Sequence, residues 1–200
     1  MNRNIWDLYA PLYARAMRAD EKAYRYMYER IPEQIQDKTV LEIATGPGLL
    51  ARHVAHAAKQ MIATDYAEGM IAEAKKGEYP ENLTFEVADA TNLPYADASF
   101  DAVIIANALH VMPEPDNALR EIDRVLKPGG LLIAPNFVSH RGGLDSRLWT
   151  GLLKLAGFRF EQQWTGAEYL EYLSSQGWRV RFWRELPARI PLLYTECERQ

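Results

Sequence analysis

The sequence predicts a doubly wound α/β fold, in which helices cover both faces of a mostly parallel sheet. Between residues 38 and 136, short apolar runs alternate with longer helical patterns. Near-continuous apolar strands separated by helices are typical of a buried parallel sheet. A length of 200 residues is enough for one such domain with a proper core and short for two. We therefore expect a single domain over residues 1–200.

Five apolar runs are predicted to form the parallel strands, and three helical patterns fill gaps between them. The runs lie at 39–44, 60–64, 83–87, 100–106 and 131–134, and the helical patterns lie at about 48–58, 67–77 and 115–126. The last helical pattern is followed by Lys127, Pro128 and two glycines. A basic last turn, a proline and glycines that tolerate positive φ together predict the end of a helix before a strand.

The two flanks of this core carry different patterns. Residues 1–35 are rich in aromatic side chains on a helical background. Residues 137–200 begin with a helical pattern at about 143–156, and a second helix follows the capping-box spacing of Thr165 and Glu168. The chain ends with β-like segments at 178–186 and 191–197. Two strands so close in sequence are expected to pair antiparallel.

Composition restricts the classes of partner and compartment. The formal net charge is −4, which disfavours nucleic acid, because phosphate neutralisation needs clustered Lys and Arg. Cys197 is the only cysteine, so no internal disulfide can form and a cytoplasmic location is expected. The N-terminus lacks the apolar stretch of a signal peptide. No apolar run reaches the roughly 20 residues of a membrane span, so we expect no integral membrane segment.

A glycine-rich loop follows the first predicted strand. Residues 46–51 fit the pattern G-x-G-x-x-G/A, and Asp65 follows at about the spacing of a ribose-binding acid. The loop alone does not identify the ligand. It is compatible with an NAD-dependent oxidoreductase, with a protein that binds another nucleoside cofactor, and with a plain tight turn before a helix.

Charge distinguishes between the candidate cofactors. Glu42 lies just before the loop, and Asp65 and Asp89 are expected to flank the same crevice. Carboxylates there repel a pyrophosphate, whose site needs N–H donors without nearby negative charge. S-adenosylmethionine carries an ammonium, a sulfonium and only one carboxylate. The three acidic side chains therefore favour S-adenosylmethionine over a dinucleotide.

Residues 40–48, VLEIATGPG, resemble the first motif of class I S-adenosylmethionine-dependent methyltransferases. The wider pattern is similar to the ubiquinone- and menaquinone-biosynthesis methyltransferases, the methyltransferase type 11 group. Four later stretches extend the resemblance in the same order, at 63–70, 88–94, 100–103 and 124–130. One departure is visible: Ala44 stands where the family usually has its first glycine, and we expect a slightly tighter fit rather than loss of binding.

The resemblance implies a Rossmann-like sheet of seven strands in the order 3-2-1-4-5-7-6, with the last strand antiparallel. It also implies a division of the single domain into three parts. Residues 1–35 would form an N-terminal helical lid, residues 36–136 the cofactor-binding core, and residues 137–200 the substrate-side helices and a C-terminal β-hairpin.

The resemblance further implies roles for individual residues. Asp65 would accept hydrogen bonds from the ribose hydroxyls, and Asp89 from the adenine amino group, beside the backbone of Ala90. The alternatives are a helix N-cap for Asp65 and a plain turn residue for Asp89. The complete predicted cofactor set is Glu42, Ala44, Gly46, Gly48, Asp65, Tyr66, Met70, Asp89, Ala90, Asn107 and, from the lid, Tyr13.

His110 is the candidate general base, because it follows the fourth strand on the rim where open α/β sheets bind ligands and an imidazole titrates near neutral pH. The alternative is a loop histidine that only packs. The candidate acceptor-site residues are Tyr9, His140, Trp149 and Trp164, for each of which simple packing is the alternative.

The expected activity is transfer of a methyl group from S-adenosyl-L-methionine to a small-molecule acceptor, with S-adenosyl-L-homocysteine as product. An in-line displacement of this kind needs no metal and no covalent intermediate, and much of its acceleration comes from positioning. The acceptor atom (O, N, S or C) stays open, as does the choice between a monomer and a homodimer. A catalytically inactive sensor or partner subunit of the same fold is the alternative, and an NAD-dependent oxidoreductase is a third.

Overall fold

The computed structural model describes residues 21–139, 162–188 and 191–200. Residues 1–20 and the helix predicted at about 143–156 lie outside the described residues. The helices are α1 Glu21–Ile35, α2 Leu49–Val54, α3 Glu68–Ala74, α4 Pro115–Val125 and α5 Gly166–Ser175. The strands are β1 Thr39–Ile43, β2 Gln60–Asp65, β3 Leu83–Val87, β4 Phe100–Ile105, β5 Leu126–Ile133, β6 Asn136–Phe137, β7 Trp178–Leu186 and β8 Leu192–Arg199. Single 3₁₀ turns follow α2, at Ala55–Ala57, and β4, at Leu109–Val111.

The sheet has the predicted doubly wound order. Strands β3, β2, β1, β4 and β5 are parallel neighbours in that sequence. The last strand, β8, lies antiparallel between β5 and β7. The predicted class and the predicted antiparallel last strand are thus confirmed. The carboxyl ends of β1, β2 and β4 meet at one edge of the sheet, which is where this topology places ligands.

The described sheet has one strand more than predicted. The two-residue strand β6 pairs with β8 just beyond the segment of β8 that pairs with β5. Pro135 separates β5 from β6, and a proline has no N–H to donate to a ladder. The Pro135 carbonyl instead accepts a hydrogen bond of 2.8 Å from the backbone N–H of Asn107. A two-residue continuation after a proline carries no periodic signal, so the sequence does not reveal it.

Helix α4 ends before a strand as predicted, but Lys127, Pro128 and both glycines belong to strand β5 and not to the end of the helix. Strand β5 begins directly after α4, and the register with β4 shifts between the pairs Phe100–Leu126 and Ala102–Leu131. Gly129 in this bulge has a φ of 74°, which favours glycine. A Cβ on Gly130 would lie 2.8 Å from the Lys127 carbonyl oxygen. The bulge therefore requires both glycines.

Two apolar layers cover the sheet, one on each face. Val40 belongs to the layer beneath α1 and α2, and Leu41 belongs to the layer beneath α4 and α5, because successive strand residues point to opposite faces. Helix α1 is anchored by Met27, Ile31 and Ile35, which are fully buried at a four-residue spacing. On the other side, α5 begins with the predicted capping box of Thr165 and Glu168. No helix among the described residues is long and apolar enough to cross a membrane.

Candidate functional site

A cavity opens at the carboxyl ends of β1, β2 and β4. Its lining combines the glycine loop, the end of β2 and the segment after β4. The lining residues are Ile43, Ala44, Gly46, Asp65, Tyr66, Ala67, Met70, Ala88, Ala90, Ala106, Asn107, Ala108, Val111 and Met112. The predicted cofactor residues among them are Ala44, Gly46, Asp65, Tyr66, Met70, Ala90 and Asn107. Ala106, at the end of β4, was expected beside Asn107. The sequence reasoning missed the other apolar lining residues, although their places at or after strand ends could have indicated them: Ile43, Ala67, Ala88, Ala108, Val111 and Met112.

Gly48 has a packing role in the structure. It has a φ of 74°, and a Cβ there would lie 2.7 Å from the ring of Phe85. Gly48 is buried and lies outside the set of residues that lines this cavity. The second glycine of the loop therefore permits a tight turn against β3, while Gly46 is the one at the cavity wall.

Asp65 connects the glycine loop to the start of α3. Its Oδ2 accepts a hydrogen bond of 2.8 Å from the Gly46 N–H, and its Oδ1 accepts one of 2.9 Å from the Ala67 N–H. A carboxylate has about four acceptor sites. These two backbone contacts therefore hold the carboxylate in place at the cavity wall.

Asp89 lies in a second hollow that adjoins the first. This hollow shares Tyr66, Ala90 and Met112 with the first cavity. The Asp89 Oδ1 accepts hydrogen bonds from the backbone N–H and the hydroxyl of Thr91, at 2.8 and 2.7 Å. These contacts make Asp89 a turn residue, the alternative noted above, and the same turn places Ala90 at the cavity wall.

Glu42 is buried against the loop, with 2% of its surface exposed. Burial raises the pKa of Glu42 to about 8, and the nearby charge of Asp65 raises it further, while the Thr45 hydroxyl and the Ala51 N–H oppose the shift. The Glu42 Oε2 atom has no hydrogen-bond partner within the described part of the chain. A buried carboxyl in this state is costly unless a ligand completes its contacts.

Two residues of the cavity wall adopt left-handed backbone conformations without being glycine. Ala44 and Asn107 both have a φ of 55°, at the ends of the neighbouring strands β1 and β4. The left-handed region disfavours residues with a Cβ, and such strain concentrates at binding sites. It also explains physically why the position of Ala44 suits a glycine.

Asn107 is 8% exposed, and its Oδ1 has no hydrogen-bond partner among the described residues. Its Nδ2 donates to the Tyr24 hydroxyl of α1 at 3.4 Å. Sequence reasoning missed Tyr24, since nothing local to α1 indicates that this tyrosine approaches the end of β4.

His110 follows β4 as predicted, but its side chain is buried, with 5% of the residue exposed. Its Nδ1 lies 2.9 Å from the Asn136 Oδ1, and its ring meets the Phe137 ring edge-on. Burial lowers the pKa of His110 to about 4, so the imidazole is neutral at pH 7 rather than titrating there. Ala108, Val111 and Met112 of the same turn line the cavity.

Of the candidate acceptor-site residues, only Trp164 lies within the described residues. Its ring stacks on Tyr172 at a centroid distance of 4.5 Å, and its carbonyl accepts a hydrogen bond from the Ser139 N–H. Tyr9, His140 and Trp149 lie outside the described residues, as does Tyr13 of the predicted cofactor set. Over the described ranges, no group of His, Cys, Asp and Glu side chains could hold a metal ion.

Residues 41–134 match the model of the methyltransferase domain family. A demethylmenaquinone methyltransferase of Renibacterium salmoninarum is 39% identical over 103 residues, which are 52% of this chain and 43% of that protein. A ubiquinone/menaquinone biosynthesis C-methyltransferase of Desulfotalea psychrophila is 38% identical over 93 residues, which are 46% of this chain and 38% of that protein. The chain thus spans less than half of the length of these curated relatives.

Solved structures share the fold over nearly the whole chain. A methyltransferase solved in complex with the Haloferax volcanii Trm112 methyltransferase activator has a TM-score of 0.83 at 21% identity, covering 100% of this chain and 97% of that one. DhpI in complex with SAH has a TM-score of 0.75 at 23% identity, covering 98% and 94%. In sequence and in strand order, residues 41–134 are thus similar to the core of S-adenosylmethionine-dependent methyltransferase domains.

Proposed function

We propose that this protein transfers the methyl group of S-adenosylmethionine to a small-molecule acceptor. The observation that carries the proposal is a pair of buried acceptor atoms without hydrogen-bond partners in the described chain, the Glu42 Oε2 and the Asn107 Oδ1. Both residues lie at the carboxyl ends of the neighbouring strands β1 and β4, where Asn107 lines the cavity and Glu42 is buried against the glycine loop. One of the two atoms belongs to a carboxyl, so the group that completes them is a cation with N–H donors.

The donor set fits the parts of S-adenosylmethionine. The ammonium suits the Asn107 acceptor at the cavity wall and the Glu42 carboxyl buried beside it, the ribose hydroxyls suit Asp65, and the adenine suits the turn of Asp89 and Ala90. A dinucleotide fits poorly, because its pyrophosphate would meet the Asp65 carboxylate beside Gly46 at the cavity wall. This argument disfavours the NAD-dependent oxidoreductase on physical grounds.

The bound cofactor would supply a methyl group on a sulfonium, which leaves as a neutral thioether. The chain's own contribution is then mainly positional. Asp65 ties the glycine loop to α3 through two backbone hydrogen bonds. The left-handed Ala44 and Asn107 hold the cavity wall in one conformation. A fixed wall lowers the entropic cost of bringing acceptor and methyl group together.

A general-base role for His110 stays a proposal, and the low pKa of its imidazole limits that role. A neutral imidazole with a pKa of about 4 is a weak base, and its contact with Asn136 turns one ring nitrogen away from solvent. An acceptor that is already nucleophilic, such as a thiolate or a stabilised carbanion, needs no base. Methylation that proceeds unchanged from pH 6 to 9 in His110→Ala would exclude the base role.

The setting of the reaction belongs to the same proposal. A small acceptor and a cytoplasmic location agree with the net charge of −4 and the single cysteine. The protein would act as a monomer or a homodimer. An inactive cofactor-binding subunit remains the alternative, and turnover with any acceptor would exclude it.

Calorimetry with S-adenosylmethionine, S-adenosylhomocysteine and NADH tests the proposal directly. We expect both sulfur ligands to bind and NADH not to bind, and the reverse result would overturn the proposal. Asp65→Ala should weaken S-adenosylhomocysteine binding at least about tenfold, since it loses the ribose acceptors and the Gly46 anchor. Asp97→Ala is the matched control, because Asp97 is an exposed carboxylate paired with Arg124. Release of S-adenosylhomocysteine during a screen of acceptors would then identify the substrate.

A further inference from the structure

Tyr24 of α1 reaches the wall of the cavity, where its hydroxyl accepts a hydrogen bond from Asn107. The tyrosine is half-buried. The helix that carries it is fixed to the sheet by Met27 and Ile31, which are fully buried one and two turns further along. The position of the hydroxyl is therefore set by the core packing of α1 and not by the cavity itself.

The Asn107 backbone is fixed independently of its side chain. Its N–H donates to the Pro135 carbonyl at 2.8 Å, and its φ is 55°. What remains to be set is the direction of the side-chain amide, whose oxygen and NH₂ ends have opposite hydrogen-bonding character. The Tyr24 hydroxyl accepts from the Nδ2 end. The oxygen end is buried and has no partner among the described residues.

We propose that Tyr24 is a positioning residue for the amino-acid end of the cofactor. By accepting from the Asn107 Nδ2, it presents the Asn107 Oδ1 to the cavity as an acceptor for an ammonium group. With the amide reversed, the Nδ2 would face that ammonium and repel it. The inference rests on the proposed function, because it assigns a specificity device to the same site. It predicts that Tyr24 discriminates between ligands with and without the amino-acid end.

Two ligands distinguish a role of Tyr24 in positioning Asn107 from a general effect of the substitution on the shape of the cavity. S-adenosylhomocysteine has the nucleoside and the amino-acid end, while 5′-methylthioadenosine has the nucleoside alone. In Tyr24→Phe, we expect the affinity for S-adenosylhomocysteine to fall about tenfold and that for 5′-methylthioadenosine to stay within about twofold. Tyr26→Phe is the matched control. It makes the same change two residues along α1, where the ring packs on Tyr194, and it should alter neither affinity.

Asn107→Ala supplies a second measurement. If Tyr24 acts through Asn107, then Tyr24→Phe should add little to the loss already caused by Asn107→Ala, because residues that act as one unit are not additive. Equal losses for both ligands in Tyr24→Phe, no loss at all, or full additivity with Asn107→Ala would each overturn the inference alone. A wild-type protein that binds neither ligand would instead overturn the proposed function, and the inference with it.

Discussion

Glu42 and Glu196 are buried to the same degree, with 2% and 1% of their surfaces exposed, but their surroundings are opposite. The Glu196 carboxylate accepts from Arg30 at 2.8 and 3.2 Å, from Tyr194 at 3.0 Å and from Arg181 at 3.3 Å. Glu42 lies on the same face of the sheet and in the same row of paired residues, three strands away through Ile104 and Ile133, and its Oε2 has no partner in the described chain. Burial raises its pKa to about 8.

The difference separates a structural carboxylate from a binding one. A buried charge needs partners, and a fold that supplies them from its own side chains uses the charge for its own stability. The Glu196 cluster fastens α1 to β8 in this way. At Glu42 the fold supplies too few partners, so the remaining contacts have to come from a ligand. Substitutions at the two glutamates test whether Glu196 is structural and Glu42 binds a ligand.

Glu196→Gln should lower the free energy of unfolding by about 2–3 kcal/mol, because it leaves Arg30 and Arg181 without their buried counter-charge. Urea denaturation measures the change. Glu33→Gln is the matched control, since Glu33 pairs with the same arginine but is 67% exposed. Its expected effect is under about 0.5 kcal/mol. An S-adenosylhomocysteine affinity that fell in folded Glu196→Gln would contradict the structural assignment.

Unlike Glu196→Gln, Glu42→Gln should raise the stability of the protein and weaken ligand binding. Removing a buried carboxyl that lacks partners is expected to stabilise the protein by about 1–2 kcal/mol at pH 8. The same change should weaken S-adenosylhomocysteine about tenfold, because the ammonium loses its charged partner. Denaturation and calorimetry on one sample provide both values. A variant that is less stable than the wild type, or that binds equally well, would place Glu42 with Glu196 as a structural residue.

The pH dependence follows from the raised pKa of Glu42. The folded state holds this proton more tightly than the unfolded state, so the Glu42 contribution to stability is full below about pH 4.5 and is lost as the pH rises to about 8. A cation prefers the ionised carboxyl. The affinity for S-adenosylhomocysteine should therefore rise up to about tenfold from pH 7 to 8.5, with release of a proton on binding. Calorimetry in buffers of different ionisation enthalpy detects that proton, and Glu42→Gln should abolish both effects.

Much of the fold could be predicted from the sequence because its signals are local. Apolar runs, the capping box at Thr165 and the end of a helix shortly before Pro128 each depend on neighbours within a few residues. The carboxyl-end position of the cavity follows from the parallel order of the strands. The order and the antiparallel last strand were expected from the family resemblance, and the structure has both.

The rest of the site depends on tertiary contacts that local patterns do not carry. The approach of Tyr24 to Asn107 joins residues 83 positions apart. The burial of His110 depends on Asn136 and Phe137, which belong to a strand too short to predict. The two glycines of one loop also look alike in sequence. Only the distance to Phe85 shows that Gly48 is required for packing.

The smallest expected effect concerns the strained backbone at the cavity wall. Ala44→Gly should stabilise the protein by about 0.5 kcal/mol, because relief of the left-handed strain slightly exceeds the added entropy of the unfolded chain. Ala98→Gly is the matched control, since Ala98 has a φ of 52° in the turn before β4. It should stabilise the protein similarly and leave binding unchanged.

Only Ala44→Gly should affect the ligand, because Ala44 lines the cavity and Ala98 does not. We expect S-adenosylhomocysteine to bind up to about threefold more weakly, since the glycine loosens the loop that the ligand has to order. Stabilisation by Ala98→Gly alone would mean that the Ala44 methyl packs well enough to offset its strain. In that case the alanine at position 44, where the family usually has a glycine, would make a stabilising contact in the cavity wall. Of the two cavity-wall residues, the strain argument would then apply to Asn107 only.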